Sequence, residues 1–180
     1  MIITLATIFL NIIQPSHINF QQKNDDHLID WSEKKLTYND FKGKGKVTKT
    51  PEGEFSSKIS WTITEETGKL PVYKVYNRMD TSQSWMSVKH NELLKEYQFV
   101  WNLQELYARK TRKDIEELNR RKSKDKDAYR KVITKHVAYF QKERLKYKGI
   151  LQNQPDIYNM LEKQYKDSLQ QYNKYKQNYK

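Results

Sequence analysis

The apolar period of this chain changes near Ser87, and that change constrains the fold more than any other feature. Before it, Ile59, Trp61 and Ile63 alternate with polar residues, as on one face of a half-buried strand. After it, apolar residues recur every three or four positions, as on helix faces. Strands collected ahead of helices indicate an α+β fold.

The strand signals lie between Asp30 and Arg78. Residues 55–64 alternate in part, and Leu70–Tyr76 alternates again, with the hairpin-loop pattern Glu66–Lys69 between them. Two strands are marginal on their own, so this pair needs a helix to pack against. The second run places Val72, Lys74 and Tyr76 on one face, and Tyr73 and Val75 on the other.

Three helices are predicted after this segment. The first runs from Ser87, a candidate N-cap, to about Lys122. The segment Arg120–Asp127 is either a charged break or an exposed stretch of helix. Gly149 and Pro155 bracket the turn before the last helix. The first predicted face holds Leu94, Tyr97, Trp101, Ala108, Ile115 and Leu118. The second holds Tyr129, Val132, Ile133, His136, Phe140 and Tyr147, and the third holds Tyr158, Leu161, Tyr165, Leu169, Tyr172, Tyr175 and Tyr179.

Composition and charge set limits on the class of protein. Apolar residues make up 36% of 180 residues, below the roughly 45–50% of ordinary globular chains, which rules out a large multi-layer α/β core. The net charge is +12, and residues 81–180 carry 23 Lys and Arg against 12 Asp and Glu, a net of +11. Such a field attracts nucleic acid, anionic lipid or another anionic polymer. The alternative is a solvated, lysine-rich helix surface, and the Tyr stripe is either core or a stacking surface.

The segment Ile2–Ile13 is the most apolar of the chain. It is too short for a transmembrane span, which needs about 20 residues, and has the length of a signal-peptide core. No Lys or Arg precedes it, and no clear cleavage site follows. A buried strand is the alternative. We expect residues 1–22 to be a signal peptide and the protein to be secreted or periplasmic in a bacterium.

Three motifs in order carry a resemblance to a known family. Trp31 precedes LTYNDFKG (Leu36–Gly43), then come SQSW (Ser82–Trp85) and NELLKEYQFVWNLQELYARKTRKDI (Asn91–Ile115). Over Asp30–Leu118 this order and spacing resembles a bacterial family of secreted, zinc-dependent-protease-like proteins catalogued as domain of unknown function 922. The resemblance implies a small antiparallel sheet packed on a long zincin-like helix, followed by a C-terminal helical hairpin.

The family helix has the form LLxHEQxHFDIxExxAR, and this chain departs from it at the metal site. Without a gap, the first ligand His falls on Glu96, the catalytic Glu on Tyr97 and the second His on Val100, within the sequence EYQFV. Only the later acidic position is kept, as Glu105. A hydrolytic zinc site of this type needs two His at i and i+4 with the Glu between them as general base. The resemblance therefore implies a degenerate site with no catalytic residue and no cofactor.

Other enzyme constellations are missing from the sequence. There is no Cys, and no two of the four His are four residues apart (His17, His27, His90, His136). Neither a nucleophile-elbow motif nor a P-loop nor a dinucleotide-binding motif occurs. Gly43 and Gly45 are a turn signal without a phosphate-binding helix after them. A lone His is usually a satisfied or exposed side chain.

These features predict three regions and a function. Residues 1–22 are the signal peptide, 23–122 a zincin-like α+β domain, and 123–180 a basic, Tyr-rich helical extension. We expect a pseudoenzyme that binds or scaffolds, with another protein or an anionic polymer as partner. The alternatives are an active metal-dependent hydrolase with other ligands, and a binder of nucleic acid or anionic polymer through the basic half.

Overall fold

The computed structural model describes residues 26–32, 35–45, 48–50, 52–147 and 154–178, and these form an α+β fold with a helical C-terminal part. The predicted signal peptide, Gly149 and Tyr179 lie outside the described residues. The described strands are β1 (Leu28–Asp30), β2 (Gly53–Glu54), β3 (Ser57–Thr64), β4 (Val72–Asp80) and β5 (Trp85–Met86). The described α-helices are α1 (Asn91–Arg120), α2 (Lys126–Tyr147) and α3 (Pro155–Gln171).

A three-stranded antiparallel sheet in the order β1-β4-β3 forms one layer. The predicted hairpin loop is confirmed, because the Lys69 amide donates to the Glu66 carbonyl at 3.0 Å between β3 and β4. Gly68 has φ +79° there, a backbone conformation that residues with a side chain rarely adopt. A separate two-stranded ribbon pairs β2 with β5.

One face of β4 is buried along its length, at Tyr73, Val75, Asn77 and Met79. The sequence places Tyr73 and Val75 on one face without saying which face is inner, and the structure shows that this face is the buried one. The matching prediction for β3 is wrong in part, because Ile59 is buried but Trp61 and Ile63 are 44% and 38% exposed. The reason is position: Ile59 packs beside Ala108 and Ile115 of α1, whereas Trp61 and Ile63 lie nearer the hairpin tip.

Helix α1 starts four residues later than predicted. The N-cap is His90, whose Nδ1 accepts a hydrogen bond from the Leu93 amide at 3.3 Å. Ser87 has a different role, since its hydroxyl accepts from the Glu52 amide at 2.9 Å and its own amide donates to the Glu52 carbonyl at 2.8 Å. Ser87 therefore extends the contact between β2 and β5 instead of capping the helix.

Two apolar clusters share α1. The first holds Trp101, which is 2% exposed and meets the Phe55 ring edge-on at 6.3 Å, together with Met79. The second lies between the sheet and α2, where the Tyr73 and Tyr129 rings stack at 4.6 Å. Trp101 is buried as predicted, but it does not cover the β3 face of Ile59, because that face belongs to the second cluster.

The two C-terminal helices complete these clusters. Helix α2 buries Tyr129, Ile133, His136 and Phe140, as its period predicts. Helix α3 buries Leu161, while Tyr158 and Tyr165 pack half-buried against the first cluster. The core interpretation of the Tyr stripe is thereby confirmed for these residues. Among the described residues, no helix is long and apolar enough to cross a membrane.

Candidate functional site

A cleft of about 730 Å³ lies between β2, α1 and the end of α2. Strand β2 and the residues beside it form one wall, and the N-terminal half of α1 forms the floor. Helix α2 forms the opposite wall, with the Arg144 guanidinium and the Tyr147 ring. The lining residues are Glu52, Gly53, Glu54, Phe55, Trp85, Leu93, Glu96, Tyr97, Val100, Gln141, Arg144, Leu145 and Tyr147.

Three of the four degenerate motif positions meet in this cleft. Glu96, Tyr97 and Val100 all line it, because positions i, i+1 and i+4 lie close together on one side of a helix. All three are at least nine-tenths buried. The positions that the resemblance aligns with the zinc motif therefore lie at a cavity and not on a solvated helix face.

The residues that carry the family resemblance also converge on α1. The Trp31 indole donates to Asn102 Oδ1 at 3.0 Å, and the Leu36 amide donates to Gln98 Oε1 at 2.6 Å. Trp85 lies against Gly45, where an added Cβ would stand 1.8 Å from its ring. Gly45 is thus explained by its close approach to this ring, and Gly43 by its close approach to the backbone of Ser82 and Ser84, where an added Cβ would stand 2.9 Å from each carbonyl oxygen.

Tyr97, which the resemblance aligns with a general base, is held in an aromatic stack. Its ring packs on Phe41 at 5.6 Å and on Phe55 at 5.5 Å. Burial raises the pKa of its hydroxyl well above the usual value, and the charge of Glu96 adds to this. At neutral pH the group is therefore a neutral phenol, which cannot take a proton from water as a carboxylate does.

Glu105 does not join the cleft. Its Oε1 accepts from Arg109 Nε and Arg112 Nη1, both at 3.0 Å, and its side chain is 1% exposed. The two guanidinium groups then cap the C-terminal segment, since Arg109 donates to the Leu169 carbonyl at 2.7 Å and Arg112 to the Tyr175 carbonyl at 3.0 Å. Glu105 therefore neutralises two buried arginines. The interpretation of Glu96 and Glu105 as a solvated pair is wrong, because both side chains are buried and Glu105 lies outside the cleft that Glu96 lines.

The residues present do not fit the zinc that the family resemblance implies. A hydrolytic zinc takes about three protein ligands and an open water position. Val100 has no donor atom, Tyr97 is a neutral phenol, and Glu105 is bound to two arginines. Within the described part of the chain, no three His, Asp or Glu side chains are grouped to hold a metal ion.

The described histidines have separate roles, as expected for isolated His. His90 caps α1, and the His27 Nε2 lies 3.6 Å from Asp80 Oδ2. His136 Nε2 lies 2.8 Å from Asp114 Oδ2. Burial lowers the pKa of His136, and the hydrogen bond with Asp114 opposes this shift only in part.

The charges of the cleft are opposite to those of the chain. Among the described residues of the lining, Glu52, Glu54 and Glu96 face a single cation, Arg144, so their formal charge is −2. Sequence reasoning missed Glu52, Glu54 and Arg144. Strand β2 has only two residues and no period to detect, and Arg144 reaches the cleft only through the packing of α2.

Comparison with models of known protein families, with curated proteins and with solved structures finds no significant match to this chain. The family resemblance therefore rests on the residues quoted above.

Proposed function

We propose that this protein is a non-catalytic relative of the zinc-dependent-protease-like family and binds an extended segment of another protein in its cleft. One observation carries this proposal. The positions that align with the zinc motif line a 730 Å³ cleft beside a strand, while the side chains at those positions lack the ligands and the base that hydrolysis needs.

The strand wall supports a polypeptide ligand. Strand β2 pairs with β5 on one side only, so its other edge is not paired with any described strand. Unpaired strand edges bind extended peptides through main-chain hydrogen bonds, while alternate side chains enter neighbouring pockets. Leu93, Val100 and Leu145 offer an apolar surface for such a side chain.

The charge of the cleft supports a basic segment. Its lining has a formal charge of −2 on a protein of +12. A Lys or Arg in the bound segment would face carboxylates at Glu54 and Glu96. Complementary charge of this kind sets specificity and association rate more than it sets affinity.

The pairing of the lysines supports the cleft over a polymer-binding face. In the second half of the described chain many cations are matched by carboxylates at 4 Å or less, so the positive charge is interleaved and not gathered in one stripe. Lys126 pairs with Glu65, Lys135 with Asp114, Lys146 with Glu143, Lys166 with Glu162 and Lys174 with Glu116.

A peptide-binding assay tests the proposal. Fluorescence polarisation against an array of extended peptides, with Lys or Arg alternating with apolar residues, should give saturable binding to the full chain. Glu54→Gln combined with Glu96→Gln should weaken that binding by about tenfold or more, since one tenfold step corresponds to about 1.4 kcal/mol. The same peptides with Glu in place of the basic residues should not bind.

Glu66→Gln is the matched control, because it removes one carboxylate from the distal hairpin, where Glu66 is more than half exposed and pairs with Lys69. It should leave peptide binding unchanged. Equal weakening by the control and by the cleft variants, or no binding to any basic peptide, would contradict the proposal.

We also propose export, on the strength of the apolar segment Ile2–Ile13. Intact-mass measurement of the protein from its native host should give a chain without that segment. Recovery of the segment in a cytoplasmic fraction would contradict export.

A further inference from the structure

A second pocket, of about 360 Å³, lies farther along α1, between that helix, α2 and Tyr172. Lys110 and Lys113 reach it from α1, and Lys135 and His136 reach it from α2. We propose that this pocket binds a phosphate or sulfate group of a small anion. The site is separate from the cleft and does not depend on the function proposed for it.

Lys110 and Lys113 bring two positive charges together. They are three residues apart on α1, which makes them neighbours on the helix surface. The Tyr172 ring lies near both, with its centre 5.9 Å from Lys110 Nζ and 5.5 Å from Lys113 Nζ. Among the described residues, no carboxylate comes within 4 Å of either ammonium group. The two ammonium groups repel each other, and their cation–π contacts with the Tyr172 ring compensate only a small part of that repulsion.

Asp114 is the one carboxylate among the described residues that line the pocket, and it is already engaged. Asp114 Oδ2 lies 3.0 Å from Lys135 Nζ and 2.8 Å from His136 Nε2. The described lining therefore holds three lysines, at positions 110, 113 and 135, and one carboxylate, which gives it a formal charge of +2. The remaining positive charge of Lys110 and Lys113 has no counter-ion in the pocket.

Lys110 is the group of this pocket that an anion would stabilise most, because its ammonium is partly desolvated and no described carboxylate pairs with it. Lys110 is half-buried beside the Tyr107 ring, with its Nζ 4.8 Å from the ring centre. Burial lowers the pKa of Lys110, and the charge of Glu143 offsets this only in part.

The chemistry of the lining selects a multiply charged oxyanion. Ammonium groups bind phosphate as point charges with three donors each. Three lysines around one cavity favour a dianion over chloride, because each ammonium adds a charge-assisted hydrogen bond. The tyrosine rings at positions 107, 139 and 172 provide an apolar wall beside the charged group.

Titration calorimetry on the full chain tests the site, with inorganic phosphate, sulfate and pyrophosphate as probes and chloride at matched ionic strength as reference. Saturable binding of at least one oxyanion, about tenfold tighter than any chloride response, is the expected result. Tighter binding of phosphate or pyrophosphate than of sulfate identifies a phosphorylated ligand, and the reverse order identifies a sulfated one.

Variants assign the binding to this pocket. Lys110→Gln and Lys113→Gln should each weaken it by about tenfold or more, as expected for loss of a hydrogen bond to a charged group. Lys163→Gln removes one exposed charge on α3 and should leave it unchanged. Equal weakening by all three variants would mean general charge attraction and would overturn the proposal, as would the absence of saturable oxyanion binding.

Discussion

The Tyr97 hydroxyl lies over Gly53, so close that a Cβ added to residue 53 would stand 2.8 Å from its oxygen. This contact joins the residue that the family resemblance aligns with a general base to the strand that forms the cleft wall. The same Cβ would stand 2.6 Å from the Trp85 carbonyl oxygen of β5. Gly53 and the Tyr97 phenol are therefore packed closely against each other in the lining of the cleft.

Gly53→Ala should destabilise the protein by about 1–3 kcal/mol, the usual range for overpacking. The backbone of β5 cannot move aside as a flexible side chain does. In a Tyr97→Phe background the cost should be smaller, because the hydroxyl contact is gone while the Trp85 contact stays. Chemical denaturation of the four proteins measures both values. An equal cost in both backgrounds would contradict the packing of Tyr97 on residue 53.

Trp101→Ala should destabilise by about 3–5 kcal/mol, as large aromatic truncations in a core do. Trp101 is 2% exposed and packs against Phe55 and Met79. Trp61→Ala is the matched control, because Trp61 is 44% exposed and should cost less than about 1 kcal/mol. A similar loss of unfolding free energy for the two variants in urea titrations would contradict the assignment of Trp101 to the core and of Trp61 to the surface.

Glu105→Gln should destabilise by about 3–5 kcal/mol, because it leaves two buried arginines with no carboxylate between them. Hydrogen exchange should rise first near Leu169 and Tyr175, whose carbonyls Arg109 and Arg112 cap. Glu117→Gln, at an exposed position with Arg120 and Arg121 as partners, should have little effect. Unchanged exchange in the C-terminal segment of the Glu105 variant would contradict this role.

Lowering the pH from about 7 to 5 should cost stability through His136. Burial lowers its pKa in the folded state, so the unfolded state binds the proton more readily below the usual His pKa of about 6.5. Asp114, Lys135 and Lys110 surround the ring; the carboxylate opposes the shift and the two cations support it. His136→Gln should therefore lose less stability over this range in thermal melts, and a steeper loss would contradict the assignment.

The sequence predicted the secondary-structure elements better than it predicted the contacts between them. The hairpin at Glu66–Lys69 and the buried face of α2 follow from local period and turn chemistry, so both were found. The start of α1 was predicted wrongly because His90 and Ser87 can both cap a helix. Only the hydrogen bonds between Ser87 and Glu52 show that Ser87 does not do so. Contacts from distant segments carry no local period.

The candidate site divides in the same way. Glu96, Tyr97 and Val100 share a helix face, so their proximity follows from spacing alone. The cleft that they line was not predicted, because β2 and α2 form its walls. Glu105 was misplaced because its partners Arg109 and Arg112 are drawn inward by carbonyls of the C-terminal segment, 60 or more residues along the chain. The acidic wall at Glu54 depends on a two-residue strand.

Zinc analysis of the full chain, purified without chelator, tests the central claim of a non-catalytic cleft most directly. Elemental analysis should give far less than one zinc per chain, and a chelator should leave the melting temperature unchanged, because Val100 and Tyr97 supply neither ligand nor base. One zinc per chain, with melting lowered by the chelator, would contradict the account and would favour an active metal-dependent hydrolase.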